Sequence, residues 1–237
     1  LLGVAAGFDK NAQIIQNIHH LNFGFMEVGT ITPLLQYGNP KPRVFRLQKD
    51  QAIINRNGFN NLGMIEAKKK LERYRKDFPV GSGFILGINI GPNKDSRDRF
   101  NDYEILSKNL SEFSDYLSIN ISSPNTPNLR DFHESRHLER VLVAVKNGIL
   151  QSKKANIKLP IFLKISPDIK EDVLEKIVKI ANKKKITGLI ISNTTIDRGN
   201  KLSSKNFREV GGLSGKPLFI KSTTILSMAN KIIKRNN

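Results

Sequence analysis

Apolar residues fall into two kinds of segment that alternate along the chain. Short, almost continuously apolar runs are separated by longer stretches in which apolar residues return every three or four positions, as at Val173, Ile177, Ile180 and Ala181. The short runs are typical of strands buried on both faces, and the longer spacing is typical of amphipathic helices. The predicted strands are residues 3–8, 25–30, 84–90, 116–122, 161–165 and 188–192. This alternation predicts an α/β fold with a parallel sheet and helices outside it.

Further elements follow from the same patterns. Additional helices are predicted at 65–74, around Leu138, Val141, Leu142 and Val145, and at 223–234. Residues 44–47 and 52–55 flank a polar segment and predict a small inserted hairpin. Ser166-Pro167-Asp168 is predicted to open the helix that contains Val173, with a proline and an acidic first turn. No linker or charge boundary interrupts the chain, so residues 1–237 are predicted to form a single domain.

Composition narrows the function classes. The 237 residues include 39 Lys and Arg against 21 Asp and Glu, a net charge of +18, which is compatible with a nucleic-acid or anionic-membrane partner. The lysine-rich runs 67–70 and 182–185 are instead predicted on solvated helix faces and ends, and no aromatic–basic interleaving accompanies them, so no nucleic-acid partner is expected. The absence of cysteine excludes disulfides, Cys-ligated metals and a cysteine base. The four histidines lack metal-ligand spacing, so no metal site is predicted.

Polar residues follow the predicted strands at six places. They are Asp9 and Lys10, Thr30, Asn89, residues 120–125, Lys164, and residues 192–194. In a (β/α)8 barrel of the TIM type, the carboxyl ends of the strands converge at one mouth, which carries the catalytic groups. The pattern therefore predicts such a barrel, with six of its eight strands in this chain.

Three loops rich in amides and hydroxyls indicate the kind of ligand. Residues 55–61, 120–127 and 192–195 supply groups that both donate and accept hydrogen bonds, which suits a planar ligand such as a pyrimidine. Lys10 and Lys164 would offset a carboxylate or an electron-rich cofactor ring. The glycine-rich segment 210–217 is compatible with a phosphate loop, although it has neither the Walker spacing nor a GxGxxG fingerprint.

Taken in order, these motifs resemble a known family. They include Ala5-Ala6-Gly7-Phe8-Asp9-Lys10, Gly29-Thr30-Ile31-Thr32-Pro33, the segments 38–47 and 55–61, Asn89-Ile90-Gly91, the segment 120–126, Lys164, Ser192-Asn193-Thr194-Thr195 and the segment 211–217. From Leu1 to about Ser222, the chain resembles the class 2, quinone-dependent dihydroorotate dehydrogenases of de novo pyrimidine (UMP) biosynthesis. Class 1 relatives use a cysteine base, which this chain lacks.

The resemblance implies an FMN-dependent barrel that oxidises (S)-dihydroorotate to orotate with a quinone as electron acceptor. Ser123 would remove the C5 proton while a hydride passes from C6 to FMN N5, and Thr126 and Phe59 would flank the proton path. The substrate would contact Lys10, Asn55, Gly58, Phe59, Asn120, Asn125, Asn193 and Thr194. FMN would contact Ala6, Gly7, Thr30, Asn89, Asn120, Lys164, Ser192 and Gly215.

The chain also departs from the family pattern. Ser192 replaces a threonine, and Pro92 stands where a lysine is common. The N-terminal segment that forms the quinone tunnel and the membrane contact, and the last two strand–helix units, are expected to lie outside these residues. The resemblance implies peripheral association with an inner membrane, whereas the chain itself is predicted to be water-soluble because no run approaches the ~18 apolar residues of a span. An alternative is a truncated, inactive paralogue that cannot retain FMN.

Overall fold

The computed structural model describes residues 1–199 and 202–236, and its main element is a six-stranded sheet. In sheet order the strands are β1 (Gly3–Val4), β2 (Phe25–Ile31), β5 (Ile85–Ile90), β6 (Tyr116–Asn120), β7 (Ile161–Ile165) and β8 (Gly188–Ile191). The register is parallel, with Val28 opposite Ile88 and Ile88 opposite Leu117. The predicted six-stranded parallel sheet is therefore confirmed.

The described residues also form five α-helices. They are α1 (Met64–Asp77), α2 (Arg99–Leu110), α3 (Ser135–Leu150), α4 (Glu171–Lys183) and α5 (Lys216–Asn236). Short 3-10 helices span Ile18–Leu21, Gln48–Asp50, Ser111–Phe113 and Leu129–His133. Asp98 caps α2, where its carboxylate accepts hydrogen bonds from the backbone N–H groups of Phe100 and Asn101. Among the described residues, none of these helices has both the length and the hydropathy needed to cross a membrane.

The chain divides into two compact units, each built from three separate segments. Unit 1 comprises 1–37, 59–120 and 140–162, and unit 2 comprises 38–58, 121–139 and 163–237. The prediction of a single domain over 1–237 stays a prediction.

Unit 1 buries the apolar side chains of its strands and of two helices. Met26 and Val28 on β2 and Leu86 and Ile88 on β5 are all fully buried. The buried positions of α1 are Ala67, Leu71 and Tyr74, and those of α2 are Tyr103, Leu106, Ser107 and Leu110. The strand predicted at 3–8 is shorter than expected: it ends at Val4, a turn follows at residues 6–7, and Gly7 adopts a φ of +107°, outside the extended region.

Unit 2 contains a second sheet that the sequence pattern predicted only in part. The expected hairpin forms as β3 (Val44–Leu47) and β4 (Ala52–Asn55). A third antiparallel strand, β9 (Gly212–Gly215), pairs with β4, with Ile54 opposite Leu213. The glycine-rich segment is thus largely a strand, and a Cβ at Gly211 would collide with the carbonyl of Asn55. The glycines permit this close strand contact.

Two predicted helix starts in unit 2 are wrong. Helix α4 begins at Glu171 after an N-cap at Lys170, and Asp168 lies outside it because its carboxylate is engaged by Arg130 and Lys221. Helix α5 begins at Lys216, directly after β9, and not at residue 223. Its buried positions are Ile225, Ala229 and Ile232.

Candidate active site

The residues predicted for the site divide between the two units. Unit 1 holds Ala6, Gly7, Lys10, Thr30, Phe59, Asn89 and Asn120. Unit 2 holds Asn55, Gly58, Ser123, Asn125, Thr126, Lys164, Ser192, Asn193, Thr194 and Gly215. Within each unit, hydrogen bonds bring several of them together, and each group is considered by itself.

In unit 1, Thr30, Asn89 and Asn120 form one buried group, here called the amide cluster. Thr30 Oγ1 donates to Asn89 Oδ1 at 2.6 Å, and Asn120 Nδ2 donates to Thr30 Oγ1 at 3.0 Å. All three residues stand at the carboxyl ends of neighbouring strands, and each is buried. The adjacent carboxyl ends of three parallel strands therefore bring the group together, as polar strand ends in such a sheet predict.

A buried carboxylate supports the amide cluster. Asn89 Nδ2 donates to Glu27 Oε1 at 2.8 Å and to Ser118 Oγ at 3.0 Å, while the Tyr116 hydroxyl donates to Glu27 Oε2 at 3.3 Å. Burial and the adjacent Glu27 carboxylate raise the pKa of Tyr116, so its hydroxyl stays protonated as a donor. Sequence reasoning missed Glu27 because it lies within a predicted strand and not after one.

The side chains of Phe59 and Thr30 both pack closely against Gly91. A Cβ at Gly91 would come within 2.8 Å of the Thr30 methyl and 3.0 Å of the Phe59 ring. Phe59 has a φ of +53°, and its carbonyl accepts a hydrogen bond from Asn61 Nδ2 at 2.8 Å. The ring is therefore held at the edge of the amide cluster, in a backbone conformation that non-glycine residues rarely adopt.

The first strand end brings Gly7 and Lys10 to the same region of unit 1. The Gly7 N–H donates to the Gly29 carbonyl at 2.8 Å, directly before Thr30, and Lys10 Nζ donates to the Gly7 carbonyl at 2.6 Å. A Cβ built at Gly7 would meet no atom within 4 Å. The backbone next to the amide cluster is therefore open on that side.

In unit 2, three further residues form what is here called the serine cluster: Asn55, Ser123 and Asn125. The Asn125 backbone N–H donates to Ser123 Oγ at 3.2 Å, and Asn125 Nδ2 donates to the Asn55 carbonyl at 3.1 Å. Ser123 is buried, whereas Asn55 and Asn125 are partly exposed. The amides of two distant segments thus lie together beside the buried serine.

Asn39 links the two segments that form the serine cluster. Its Nδ2 donates to the Arg56 carbonyl at 3.1 Å and to the Asn125 carbonyl at 3.3 Å. A Cβ at Gly58 would come within 2.8 Å of this amide nitrogen, so Gly58 lets Asn39 approach. Asn39 was part of the recognised motif at 38–47 but had no predicted role, because its contact with Asn125 spans 86 residues.

The remaining predicted residues of unit 2 take separate positions. Asn193 Nδ2 donates to Ser122 Oγ at 3.0 Å, and the Thr194 N–H donates to Asn193 Oδ1 at 2.8 Å. Ser192 Oγ donates to the Asn193 carbonyl at 2.9 Å. Lys164 is buried near the end of β7, and Gly215 ends β9 with a φ of +94°.

Thr126 is buried to 3% exposure, and its Oγ1 has no hydrogen-bond partner among the residues that the structure describes. Buried hydroxyls are normally paired, so one without a partner in a candidate site is suited to a water or a ligand. This agrees with the predicted role of Thr126 beside a proton path, which stays a prediction.

Two charged residues of unit 2 were not predicted as part of the site. Arg130 Nη1 lies 3.0 Å from Asp168 Oδ2, and the same guanidinium donates to the Ser122 and Thr194 carbonyls. Burial alone would raise the pKa of Asp168, but hydrogen bonds from Lys221 and Thr195 together hold that pKa below its ordinary value. Asp168 is therefore an anion at neutral pH. In the sequence, only the position of Asp168 after a strand marks it, and that position also fits the start of a helix, which in the structure begins at Glu171.

His133 contacts the backbone of Arg130. Its Nδ1 lies 2.8 Å from the Arg130 carbonyl, and its Nε2 accepts from the Ser166 N–H at 3.4 Å. Burial lowers the pKa of His133 to about 4, and the nearby Arg130 charge adds to that lowering. A neutral ring with the proton on Nδ1 satisfies both contacts, so this histidine is structural.

Comparison with known proteins gives the family. The dihydroorotate dehydrogenase family model matches residues 1–235. The dihydroorotate dehydrogenase (quinone) of Mesorhizobium japonicum is 49% identical over 232 residues, which are 98% of this chain and 62% of that protein. The enzyme of the same name from Bartonella henselae is 45% identical over 236 residues, 99% of this chain and 64% of that protein. The chain thus spans less than two thirds of the length of these relatives.

Solved structures agree with the fold class. A crystal structure of DHODH from Eimeria tenella in complex with ferulenol has a TM-score of 0.92 and 39% identity, over 98% of this chain and 66% of that one. The ligand-free form from the same organism has a TM-score of 0.91 and covers 69% of that chain. The predicted barrel class is confirmed. With a family model that covers nearly all its residues, and with relatives that carry the quinone-dependent name, this chain belongs to the dihydroorotate dehydrogenases, a family of oxidoreductases.

Proposed function

We propose that this chain carries the reaction of its family, the oxidation of (S)-dihydroorotate to orotate in pyrimidine biosynthesis, with a quinone as the final electron acceptor. Membership of the family implies a flavin cofactor, and we propose FMN as that flavin. The proposal extends to this chain what its longer relatives are named for.

The residues of unit 1 fit a flat, carbonyl-rich ring. The amide cluster supplies a hydroxyl and two amides, and the backbone at Gly7 is open on the side where a Cβ would point. We assign Ala6, Gly7, Thr30, Asn89 and Asn120 to this role. When bound, FMN supplies a two-electron acceptor for the hydride that leaves the substrate.

In unit 2, we assign Lys164, Ser192 and Gly215 to the same cofactor. Lys164 is buried, and a cation in that setting would stabilise negative charge on a reduced ring. Lys164 is the fourth residue of β7 (Ile161–Ile165), close to the carboxyl end of that strand.

For the substrate, we assign Asn55, Gly58, Asn125, Asn193 and Thr194 in unit 2. Each side-chain amide offers one donor group and one acceptor, as the alternating N–H and C=O groups of dihydroorotate require. In unit 1, we assign Phe59, Asn120 and Lys10, the last as the charge partner of the carboxylate. Lys10 Nζ already lies 2.6 Å from the Gly7 carbonyl, which fixes the direction of its side chain.

The observation that carries the proposal is the setting of Ser123. A serine hydroxyl is a weak base, so it needs help to take a proton from carbon. Its Oγ is buried and accepts a hydrogen bond from the Asn125 N–H at 3.2 Å, which stabilises negative charge that develops on the oxygen. We propose that Ser123 removes the C5 proton and that Thr126 and Phe59 flank the path by which the proton leaves. Within the described part of the chain, the Thr126 hydroxyl has no hydrogen-bond partner.

The test is the absorbance of the flavin. We expect the purified 237-residue chain to be yellow and to bleach when dihydroorotate is added without oxygen. The Ser123→Ala variant should keep the flavin and lose at least about a hundredfold in bleaching rate, the usual size of a general-base effect. Ser152→Ala, which removes a buried hydroxyl after α3, is the matched control and should bleach as the unaltered chain does.

Other outcomes would favour the alternatives. A folded chain that binds no added FMN would support the inactive paralogue. Unchanged bleaching in Ser123→Ala would remove the assigned base while leaving the reaction in place. Salt-sensitive binding to random duplex DNA would instead support a basic nucleic-acid module. Reoxidation of the bleached flavin by a short-chain quinone tests the acceptor, and flotation with anionic vesicles tests the proposed peripheral membrane contact.

A further inference from the structure

The guanidinium of Arg130 joins two loops that carry proposed site residues. Its Nε donates to the Ser122 carbonyl at 3.3 Å, and its Nη2 donates to the Thr194 carbonyl at 3.2 Å. Ser122 directly precedes the proposed base Ser123, and Thr194 is a proposed substrate contact. One planar group therefore sets the separation of the two carbonyls in unit 2.

Asp168 fixes that guanidinium and the far end of the second loop. Its Oδ2 lies 3.0 Å from Arg130 Nη1 and also accepts from the Ile196 N–H at 2.9 Å. Its Oδ1 is bound by Lys221 Nζ at 2.7 Å and by the Thr195 hydroxyl. The carboxylate thus holds both the arginine and the residues that directly follow Thr194.

We propose that Arg130 and Asp168 are positioning residues that hold the Ser123 loop and the Asn193–Thr194 loop in one fixed arrangement. The inference rests on the proposed function for its effect on rate, but the coupling of the two loops is a property of unit 2 itself. A fork of N–H donors in one plane is needed to reach two carbonyls and a carboxylate, and a lysine offers no such fork.

Unit 1 contains a matched ion pair whose hydrogen bonds, among the described residues, involve none of the proposed site residues. Arg75 Nη2 lies 2.8 Å from Asp115 Oδ2, and the Asp115 carboxylate also accepts from the Gly81 and Leu86 N–H groups. The side chains of Asp115 and Asp168 are equally exposed, at 12% each. Asp115→Asn therefore controls for the loss of a comparable carboxylate.

We expect Arg130→Lys and Asp168→Asn to retain the flavin and to bleach about a hundredfold more slowly with dihydroorotate, the penalty typical of a displaced reacting group. Asp115→Asn should bleach at the rate of the unaltered chain. An equal loss of rate in Asp115→Asn and Asp168→Asn would reduce the effect to general destabilisation and overturn the proposal. So would unchanged rates in both Arg130→Lys and Asp168→Asn.

Chemical rescue supplies a readout that a merely structural role would not move. Arg130 and Asp168 line a groove of about 700 Å³, which a small cation can enter. We expect guanidinium at a non-denaturing concentration to restore bleaching in Arg130→Ala, and methylammonium, which has the charge without the fork, to fail. Equal rescue by both cations would show that only the positive charge matters. It would contradict the proposal that the planar N–H donors of Arg130 are required.

Amide hydrogen exchange tests the coupling without any turnover. In Arg130→Lys, exchange should rise together in the peptides that contain 122–126 and 191–195, whereas Asp115→Asn should leave both unchanged. If the unaltered chain does not bleach, the proposed function fails, and exchange still decides this inference. A rise in only one of the two peptides, or in neither, would overturn it.

Discussion

The amide cluster of unit 1 and the Arg130–Asp168 pair of unit 2 both hold candidate site residues in position, but they use different interactions. The amide cluster stands on the ends of neighbouring parallel strands, and its contacts include Asn120 to Thr30 at 3.0 Å. The pair in unit 2 joins loops, and it relies on opposite charges that are 22% and 12% exposed. Neighbouring strand ends and neutral hydrogen bonds position the first group, whereas an ion pair positions the second.

The two groups differ in what holds their backbone in place. At a strand end, the hydrogen bonds of the sheet fix the backbone, so small neutral side chains are sufficient there. A loop has no ladder of its own, and charge-assisted hydrogen bonds, which are stronger than neutral ones, replace it. We therefore expect the amide cluster to be costly for folding when broken, and the ionic pair to be costly mainly for activity.

The largest expected effect on stability is in the amide cluster. Asn89→Ala removes two donors and one acceptor from a side chain with no exposed surface, and it leaves Glu27, Thr30 and Ser118 without these contacts. We expect a loss of about 3–5 kcal/mol in the free energy of unfolding, measured by urea denaturation. Asn109→Ala, which removes one bond within α2, should cost less than about 1 kcal/mol. Equal losses would contradict the special cost of the buried network.

The next effect is a pH dependence in unit 2. His133 has a pKa of about 4 in the fold against an ordinary 6.5, so the unfolded chain binds its proton first as the pH falls. Its contribution to stability is complete above pH 6.5 and decreases towards pH 4. The unaltered chain should lose about 3 kcal/mol more than His133→Gln over that range. His137→Gln, on α3, should follow the unaltered chain, and parallel curves for all three proteins would exclude the effect.

A smaller stability effect is expected at the ionic pair. Asp168→Asn keeps the shape of the side chain and should cost about 1–2 kcal/mol at pH 7, because a half-buried ion pair is partly screened by water. The lowered pKa of Asp168 means that this contribution is present above the ordinary value of 3.8 and disappears as the pH falls through the folded pKa. The difference between the two proteins should therefore vanish in acid. A difference that grows in acid would contradict the assignment.

The smallest expected effect is a difference in salt dependence between the stability contributions of the Arg130–Asp168 pair and of the amide cluster. Raising NaCl should reduce the stability difference between the unaltered chain and Asp168→Asn by less than about 1 kcal/mol, because screening acts on the ionic pair. The difference between the unaltered chain and Asn89→Ala should not change. Equal salt sensitivity in both differences would erase the contrast between charged and neutral positioning.

Sequence reasoning was most successful where the signal is local. The apolar runs give the six strands, with 161–165 matched as Ile161–Ile165. The helix at 65–74 appears as Met64–Asp77, and Leu138, Val141, Leu142 and Val145 are fully buried as expected. Polar residues at strand ends do meet within each unit, as Thr30, Asn89 and Asn120 do, because parallel strands end at one edge. The assigned roles of the site residues stay predictions.

The errors occur where partners are distant in sequence. Asp168 was assigned to a helix start because a proline and an acid after a strand fit that pattern, yet its partners include Lys221 and Thr195. The glycine-rich pattern of 210–217 also does not predict strand β9, because its partner strand β4 is distant in sequence. The Leu213 N–H of this strand donates to the Thr195 carbonyl at 2.7 Å.

The sequence by itself determined the six strands of the parallel sheet, the inserted hairpin, the family, and the kinds of polar group at each strand end, since these follow from periodicity and from motifs read along the chain. Only the tertiary structure decided that β9 pairs with β4, that Glu27 supports Asn89, and that Arg130 and Asp168 join two loops of unit 2. The physical reason is that a hydrogen bond or an ion pair depends on distance in space, and the Arg130–Asp168 contact joins residues 38 positions apart that no local pattern connects.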